Sequence, residues 1–167
     1  MSKREDLEAL GYKAYENDNI IVYWRPNSCI HAGRCVSLNN QVFDPRRRPW
    51  IDLSKASAIE IAKIIDNCPS KALQCELKFK IEFIDEELKS IAKLEDVIVG
   101  ECDCIVKEDK WAITHTEVKE GYEGRGIAKL LVENVIENAK KNNMKINPIC
   151  SYAKKLIESN ERYSDIL

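Results

Sequence analysis

Hydrophobic and polar positions follow a few separable patterns along the chain. Residues 20–24 (IIVYW) are β-branched and aromatic and read as a strand. Pro26 and Gly33 then break the segment RPNSCIHAGRC, and Pro45 and Pro49 make VFDPRRRPWI rich in turns. Leu53, Ala56, Ile59, Ala62, Ile64 and Ile65 recur at helical spacing, predicting a helix from near Ser54. It must stop by Cys68-Pro69, because the residue before proline is pushed out of the helical region. LQCELKFKIEFI alternates as a strand, and the charged stretch 85–96 (DEELKSIAKLED) reads as a partly helical connection. DVIVGECDCIV and WAITHTEV are two strands meeting at a hairpin turn in KEDK. A glycine loop spans Gly121–Gly126, and Ile127, Leu131, Val135 and Ala139 form one stripe of the clearest helix. INPICSY is a short apolar strand, and a last helix begins at Ala153.

These elements predict an α+β chain of two domains, 1–84 and 95–167, joined by a linker over 85–94. With 167 residues, 44% of them hydrophobic, both halves can bury a core. A net charge of −2 argues against a nucleic-acid binder or a basic membrane-surface protein. No apolar run approaches the ~20 residues that span a bilayer. The start, MSKREDLEAL, has no apolar segment of a secretory signal, so a cytoplasmic location is expected. Thiols stay reduced there, and the seven cysteines do not read as a disulfide framework. They mark two places instead. Cys29, Cys35, Cys68 and Cys75 lie in the first half; Cys102, Cys104 and Cys150 lie in the second.

Cys29-x5-Cys35 followed by a remote Cys68-Pro69 is an arrangement that suits an iron–sulfur cluster, with a wrapping loop and a distant thiolate turned out by proline. Structural zinc sites show cysteine pairs two to four residues apart, and the first half has none, so iron is favoured. Over roughly residues 10–77 the sequence resembles the divergent single-cluster ferredoxin-like domain. The match runs through Cys29-Ile-His31-Ala-Gly33-x-Cys35, Val42-Phe43-Asp44, Pro49-Trp50 and Cys68-Pro-Ser-x-Ala-Leu73. The resemblance implies a [4Fe-4S] cluster, or a [3Fe-4S] one, with Cys29, Cys35 and Cys68 as ligands. Ala32 replaces the usual middle cysteine; His31 ranks first as fourth ligand, ahead of Cys75. Lys71 stands where the family often has glycine.

The loop EGYEGRGIAKLL puts flexible backbone before an amphipathic helix, a seat for phosphate oxygens. Its spacing fits neither a dinucleotide fingerprint nor a P-loop. With WAITHTEV before it and IxPxCSYAKK after it, the stretch over roughly 95–167 resembles a minimal member of the GNAT superfamily of N-acetyltransferases. Glu123 stands where that loop usually has arginine or glutamine. The resemblance implies acetyl-CoA as cofactor, its pyrophosphate on the backbone of Gly124, Arg125, Gly126, Ile127 and Ala128, its thioester oriented by backbone near Thr116 and Val118. It implies Tyr152 as proton donor to the leaving thiolate, Cys150 as nucleophile or slot lining, and His115 as base for an incoming amine. The expected partners are an amine or protein acceptor and a redox partner protein. The alternative is a non-catalytic redox carrier or sensor whose second half only binds CoA or a partner.

Overall fold

The computed structural model describes residues 2–167, which divide into two units, one ending at Lys78 and the other beginning at Phe79. Two sheets and five α-helices make a mixed α+β architecture among the described residues.

In the first unit, helix α1 (Lys3–Ala9) opens on a capping box in which Ser2 and Glu5 bond reciprocally. Strands β1 (Lys13–Glu16), β2 (Ile20–Trp24) and β3 (Leu73–Leu77) form an antiparallel sheet with β2 at its centre. Ile20, Val22 and Tyr23 of β2 are fully buried, which is why its pattern was so plain in the sequence. Short helix α2 (Arg34–Leu38) follows the first cysteine loop. Helix α3 is Ala58–Ile65, shorter than the one predicted from Ser54. The reason is local. Ser54 bonds Asp52 at 2.6 Å in a 3-10 turn, while Ser57 and Glu60 form the capping box that starts the helix.

The strand expected over LQCELKFKIEFI is two strands in two different sheets. At Lys78 the backbone N–H donates to Asn19 O and Nζ donates to Asn17 O, both at 2.8 Å, closing the first sheet. The chain then enters the second unit as β4 (Lys80–Ile84). The expected linker over 85–94 is also corrected: a 3-10 turn at Asp85–Glu87 leads into β5 (Lys89–Leu94), paired with β4. Ser90, Ile91, Ala92 and Leu94 are all buried, so this strand is covered on both faces and lacks the alternation of a half-exposed one.

Strands β6 (Val97–Lys107) and β7 (Lys110–Val118) form the expected hairpin, with left-handed Glu108 and Asp109 in its two-residue turn. Helix α4 (Ile127–Lys141) lies across the sheet and buries Ile127, Leu131, Val135 and Ala139, the predicted stripe, together with Val132 and Ile136. Each of these Ile, Leu and Val side chains contributes about 1.5–3 kcal/mol on burial. β8 (Lys145–Pro148) pairs parallel to β7, completing the order β4-β5-β6-β7-β8, and α5 (Ser151–Glu158) follows at once. Helix and sheet approach closely at Gly100. A Cβ there would stand 3.0 Å from Glu117 O and 3.1 Å from both Ile127 Cγ2 and Leu131 Cδ1.

Candidate functional site

The first unit gathers its candidate sulfur ligands from two loops. Cys29, His31, Cys35, Cys68 and Ser70 line one cleft, beside Trp24 and Trp50. The first loop curls because His31 and Gly33 take left-handed φ values of 56° and 72°. That curl turns the His31 N–H onto Cys29 Sγ at 3.4 Å and sets the His31 ring Nδ1 3.9 Å from the same sulfur. The second loop turns at Lys71, also left-handed at φ 58°, so the residue that replaces the family's glycine occupies the backbone state glycine favours. Tyr12 Oη donates to Lys71 O and Gln74 Nε2 donates to Tyr12 Oη, each at 2.9 Å, and these bonds hold the turn.

The electrostatics distinguish the thiols. Burial pushes Cys35 up, and the nearby Cys29 and Cys68 add to that shift. Burial would raise Cys68 as well, but N–H groups of Leu73, Ser70 and Ala72, with the Ser70 hydroxyl, bring it below the ordinary thiol range. Backbone donors around sulfur are what an anionic thiolate requires. Cys75, the other fourth-ligand candidate, sits in β3 opposite Val22 and does not line the cleft.

No three His, Cys, Asp or Glu side chains among the described residues converge to hold one metal ion. Thiolates around a single zinc would lie about 3.8 Å apart, given the Zn–S length of ~2.3 Å. A cluster spreads its ligands over several irons, so thiols that share a cleft without converging on a point fit it. Beside the cleft opens a cavity of about 620 Å³, lined among others by Cys29, Cys35, Trp24, Trp50, Lys13 and Arg48. Among the described residues, one buried side-chain polar atom has no hydrogen-bond partner, and it is Nε1 of Trp50. The donor set and this orphaned donor suit a sulfur-rich anionic group.

In the second unit the candidate site lies where β7 outruns β8. Pairing between them ends at Ile113 and Pro148, and the N–H groups of Ile149 and Cys150 both donate to Ile113 O. Lys119 N–H donates to Val99 O at 2.8 Å. Counting back by twos, Glu117 and His115 turn their backbone groups to β6, and Thr116 and Val118 turn theirs to the open edge. Gly121, Gly124 and Gly126 of the following loop all have positive φ, and a Cβ at Gly124 or Gly126 would meet nothing within 4 Å. Their role is therefore conformational, with open space beside the backbone. Gly126 caps α4 without a side-chain bond, and no acidic residue stands in the first helical turn, so the N–H groups of Ile127 and Ala128 begin the helix without side-chain neutralisation. The Glu123 carboxylate accepts from Gly121 N–H at 2.7 Å, within the loop.

Cys150 is the N-cap residue of α5, with Tyr152 in the first turn. Its S–H donates to Thr116 Oγ1 at 3.6 Å, and the Thr116 hydroxyl donates to Cys102 Sγ at 3.5 Å. Sequence reasoning gave Thr116 a backbone role only; the threonine in the alternation of WAITHTEV was the available signal for its side chain. Cys102 and Cys104 are buried on the α4 side of the sheet, and Cys104 is held well above the ordinary thiol range by its bond to Cys102 and by burial. Packing is their role. Tyr152 is half-exposed, and burial with the nearby Glu133 carboxylate raises its phenol above the usual tyrosine range.

His115 is not brought to this group. It neighbours Thr116 in the strand and so faces the other side of the sheet, where Nε2 lies 3.5 Å from Glu117 Oε2. A bulge that makes Thr114 an extra residue opposite Asp103 and Cys104 resets the alternation of β7 just before it.

Comparison with known proteins matches each unit separately. Residues 15–78 match the model of a divergent 4Fe-4S mono-cluster family, and residues 90–166 that of a GCN5-related N-acetyl-transferase family. The uncharacterized protein YjdI of Escherichia coli strain K12 is 39% identical over 64 residues, covering 38% of this chain and 84% of YjdI. YjdI of strain O157:H7 gives the same values. A GCN5-like protein from Staphylococcus aureus, solved by NMR, is 30% identical over 52% of this chain and 85% of its own, with a TM-score of 0.42.

Proposed function

The chain belongs to the divergent 4Fe-4S mono-cluster family through its first unit and to the GCN5-related N-acetyltransferase family through its second; from that premise we propose an iron–sulfur protein that transfers acetyl groups from acetyl-CoA to an amine. Cys29, Cys35 and Cys68 hold a [4Fe-4S] cluster, with His31 as fourth ligand. When bound, that cluster supplies one-electron chemistry, and a redox protein is the partner it calls for. The reaction belongs in the cytoplasm, where thiols stay reduced.

In the second unit the backbone of Gly124, Arg125, Gly126, Ile127 and Ala128 seats the pyrophosphate at the start of α4. The open-edge backbone of Thr116 and Val118 orients the thioester. Cys150 attacks the acetyl carbonyl; its sulfur forms a new thioester as the bond to coenzyme A breaks. Tyr152, kept as phenol by its surroundings, gives its proton to the departing thiolate and regains one from the Cys150 thiol through solvent. An amine on a small molecule or a protein lysine then takes the acetyl group and restores the thiol. The observation that carries this reading is the parting of β7 and β8 after Ile113 and Pro148, which leaves Thr116 on an unpaired strand edge with the Cys150 thiol bonded to its hydroxyl.

Mass spectrometry after incubation with acetyl-CoA tests it. An acetyl adduct that disappears in Cys150→Ala is expected, with free coenzyme A released about 10²–10⁴ times more slowly by Tyr152→Phe. Absence of any acetyl-CoA binding at millimolar concentration overturns the cofactor. Full turnover in Cys150→Ala overturns the covalent step. One observation favours a second reading, a unit that binds CoA without turnover: Glu123 brings a negative charge into the loop. Binding without released coenzyme A would establish that reading.

A further inference from the structure

Trp50 is held through both its backbone and its ring. Its carbonyl accepts from Asp44 N–H at 2.8 Å and from Arg47 Nη2 at 3.3 Å. The same guanidinium donates to Gln41 O at 2.8 Å, to Val42 O at 2.9 Å and to Pro49 O at 3.2 Å, fastening the whole turn. The indole packs against Trp24, ring centroids 4.8 Å apart, and against Phe43 at 5.8 Å, with Phe43 itself fully buried. All this fixes the ring at the wall of the cleft that Cys29, Cys35 and Cys68 share.

Against that ordering stands one deficit. Trp50 Nε1 is buried and donates to nothing. Leaving a buried donor unpaired is costly, and native proteins rarely keep one without a use. The facing Trp24 ring offers only a weak π acceptor. An acceptor supplied from the cleft would satisfy the group, and sulfide or thiolate sulfur of a cluster is such an acceptor.

The geometry points to Trp50 as the residue that sets the cluster's reduction potential, by donating its indole N–H to a cluster sulfur. This rests on the cluster reading above and goes beyond it, since Trp50 is no ligand. Reduction adds negative charge that spreads onto sulfur, so a fixed donor stabilises the reduced form more than the oxidised one. Trp50 is a positioning residue that acts through the sulfur. Its rigid mounting keeps the donor in place in both states.

Trp50→Phe keeps an aromatic ring against Trp24 and Phe43 and removes the donor. In full-length protein isolated without oxygen, iron content and absorption near ~400 nm report the cluster, and a redox titration reports Trp50. We expect wild-type iron content in the variant, with the reduction equilibrium shifted about tenfold against the reduced form, ~59 mV more negative for one electron. A variant that carries its cluster at the wild-type potential overturns the role of Trp50 and leaves the cluster intact. Failure of the wild-type chain to bind iron overturns the cluster and the inference together. A second measurement needs no variant. With ¹⁵N-indole tryptophan, electron–nuclear double resonance on the reduced protein should show an indole N–H coupled to the cluster. Absence of that coupling overturns the inference even where Trp50→Phe does not fold.

Discussion

Both units build the loop of their candidate site on left-handed residues, but they hold those residues by different means. In the first unit the turns at His31, Gly33 and Lys71 sit in loops. Side chains hold the surrounding loops: Tyr12 on the Lys71 carbonyl, and Arg47 on the carbonyls of the Trp50 turn. In the second unit Gly121, Gly124 and Gly126 lead into a fifteen-residue helix, whose Leu131, Val132 and Val135 are fully buried on the sheet. A helix fixed by its apolar face presents its N-terminus whether or not a ligand is there. A loop whose walls include three thiols and an unpaired indole N–H is complete only with something between them. The first unit should therefore depend on its bound group, and the second on its core.

The largest effect that could break this contrast comes from the cysteines. Cys35→Ser should abolish iron binding and visible absorption, and lower the melting temperature of the first unit, because a group bound only to the folded state adds to its stability. Acetyl-CoA affinity should stay at the wild-type value. Iron analysis, melting followed by circular dichroism, and calorimetric titration check the three outcomes. A Cys35→Ser chain with its full iron complement would remove this thiol from the ligand set.

Next in size is Gly100→Ala. Its Cβ would meet Glu117 O at 3.0 Å, and a backbone oxygen in a paired strand cannot swing aside. Overpacking of this kind costs about 1–3 kcal/mol. Hydrogen exchange should show faster opening of the β6 and α4 amides, with those of β2 unchanged. Equal loss in both units would mean that the cores are not independent.

What was legible in the chain follows the same division. Ile127, Leu131, Val135 and Ala139 announced α4 because a helix over one sheet face buries a stripe. β2 and the β6–β7 hairpin were equally plain. β5 was missed because Ile91 is buried on one face and Ala92 on the other, which erases the alternation that marks a strand. The break at Lys78 was invisible for another reason: it depends on Asn17 and Asn19, some sixty residues earlier in the chain. Cys29, Cys35 and Cys68 were readable from type and spacing and His31 through the family motif, and all four line one cleft. The resemblance gave His115 the part of base for an incoming amine, but it neighbours Thr116 in the strand, and adjacent strand residues face opposite ways. The Trp50 donor had no sequence signal beyond the Pro49-Trp50 pair, since an unpaired N–H is a property of the fold around it.

The smallest effect tests the second unit where it departs from its family. Glu123 places a carboxylate inside the loop proposed to receive two phosphates, accepting from Gly121 N–H. Glu123→Gln keeps an acceptor oxygen for that N–H and removes only the charge. A unit charge about 7 Å from a phosphate in water interacts by about 0.6 kcal/mol, so affinity for coenzyme A should rise about two- to fivefold at low salt. The gain should shrink as salt rises, since exposed charges are screened over about 10 Å at 0.1 M. Calorimetry at two ionic strengths measures both. Equal affinity of the two proteins at low salt would put the phosphates elsewhere, and the helix N-terminus would lose its part in the site.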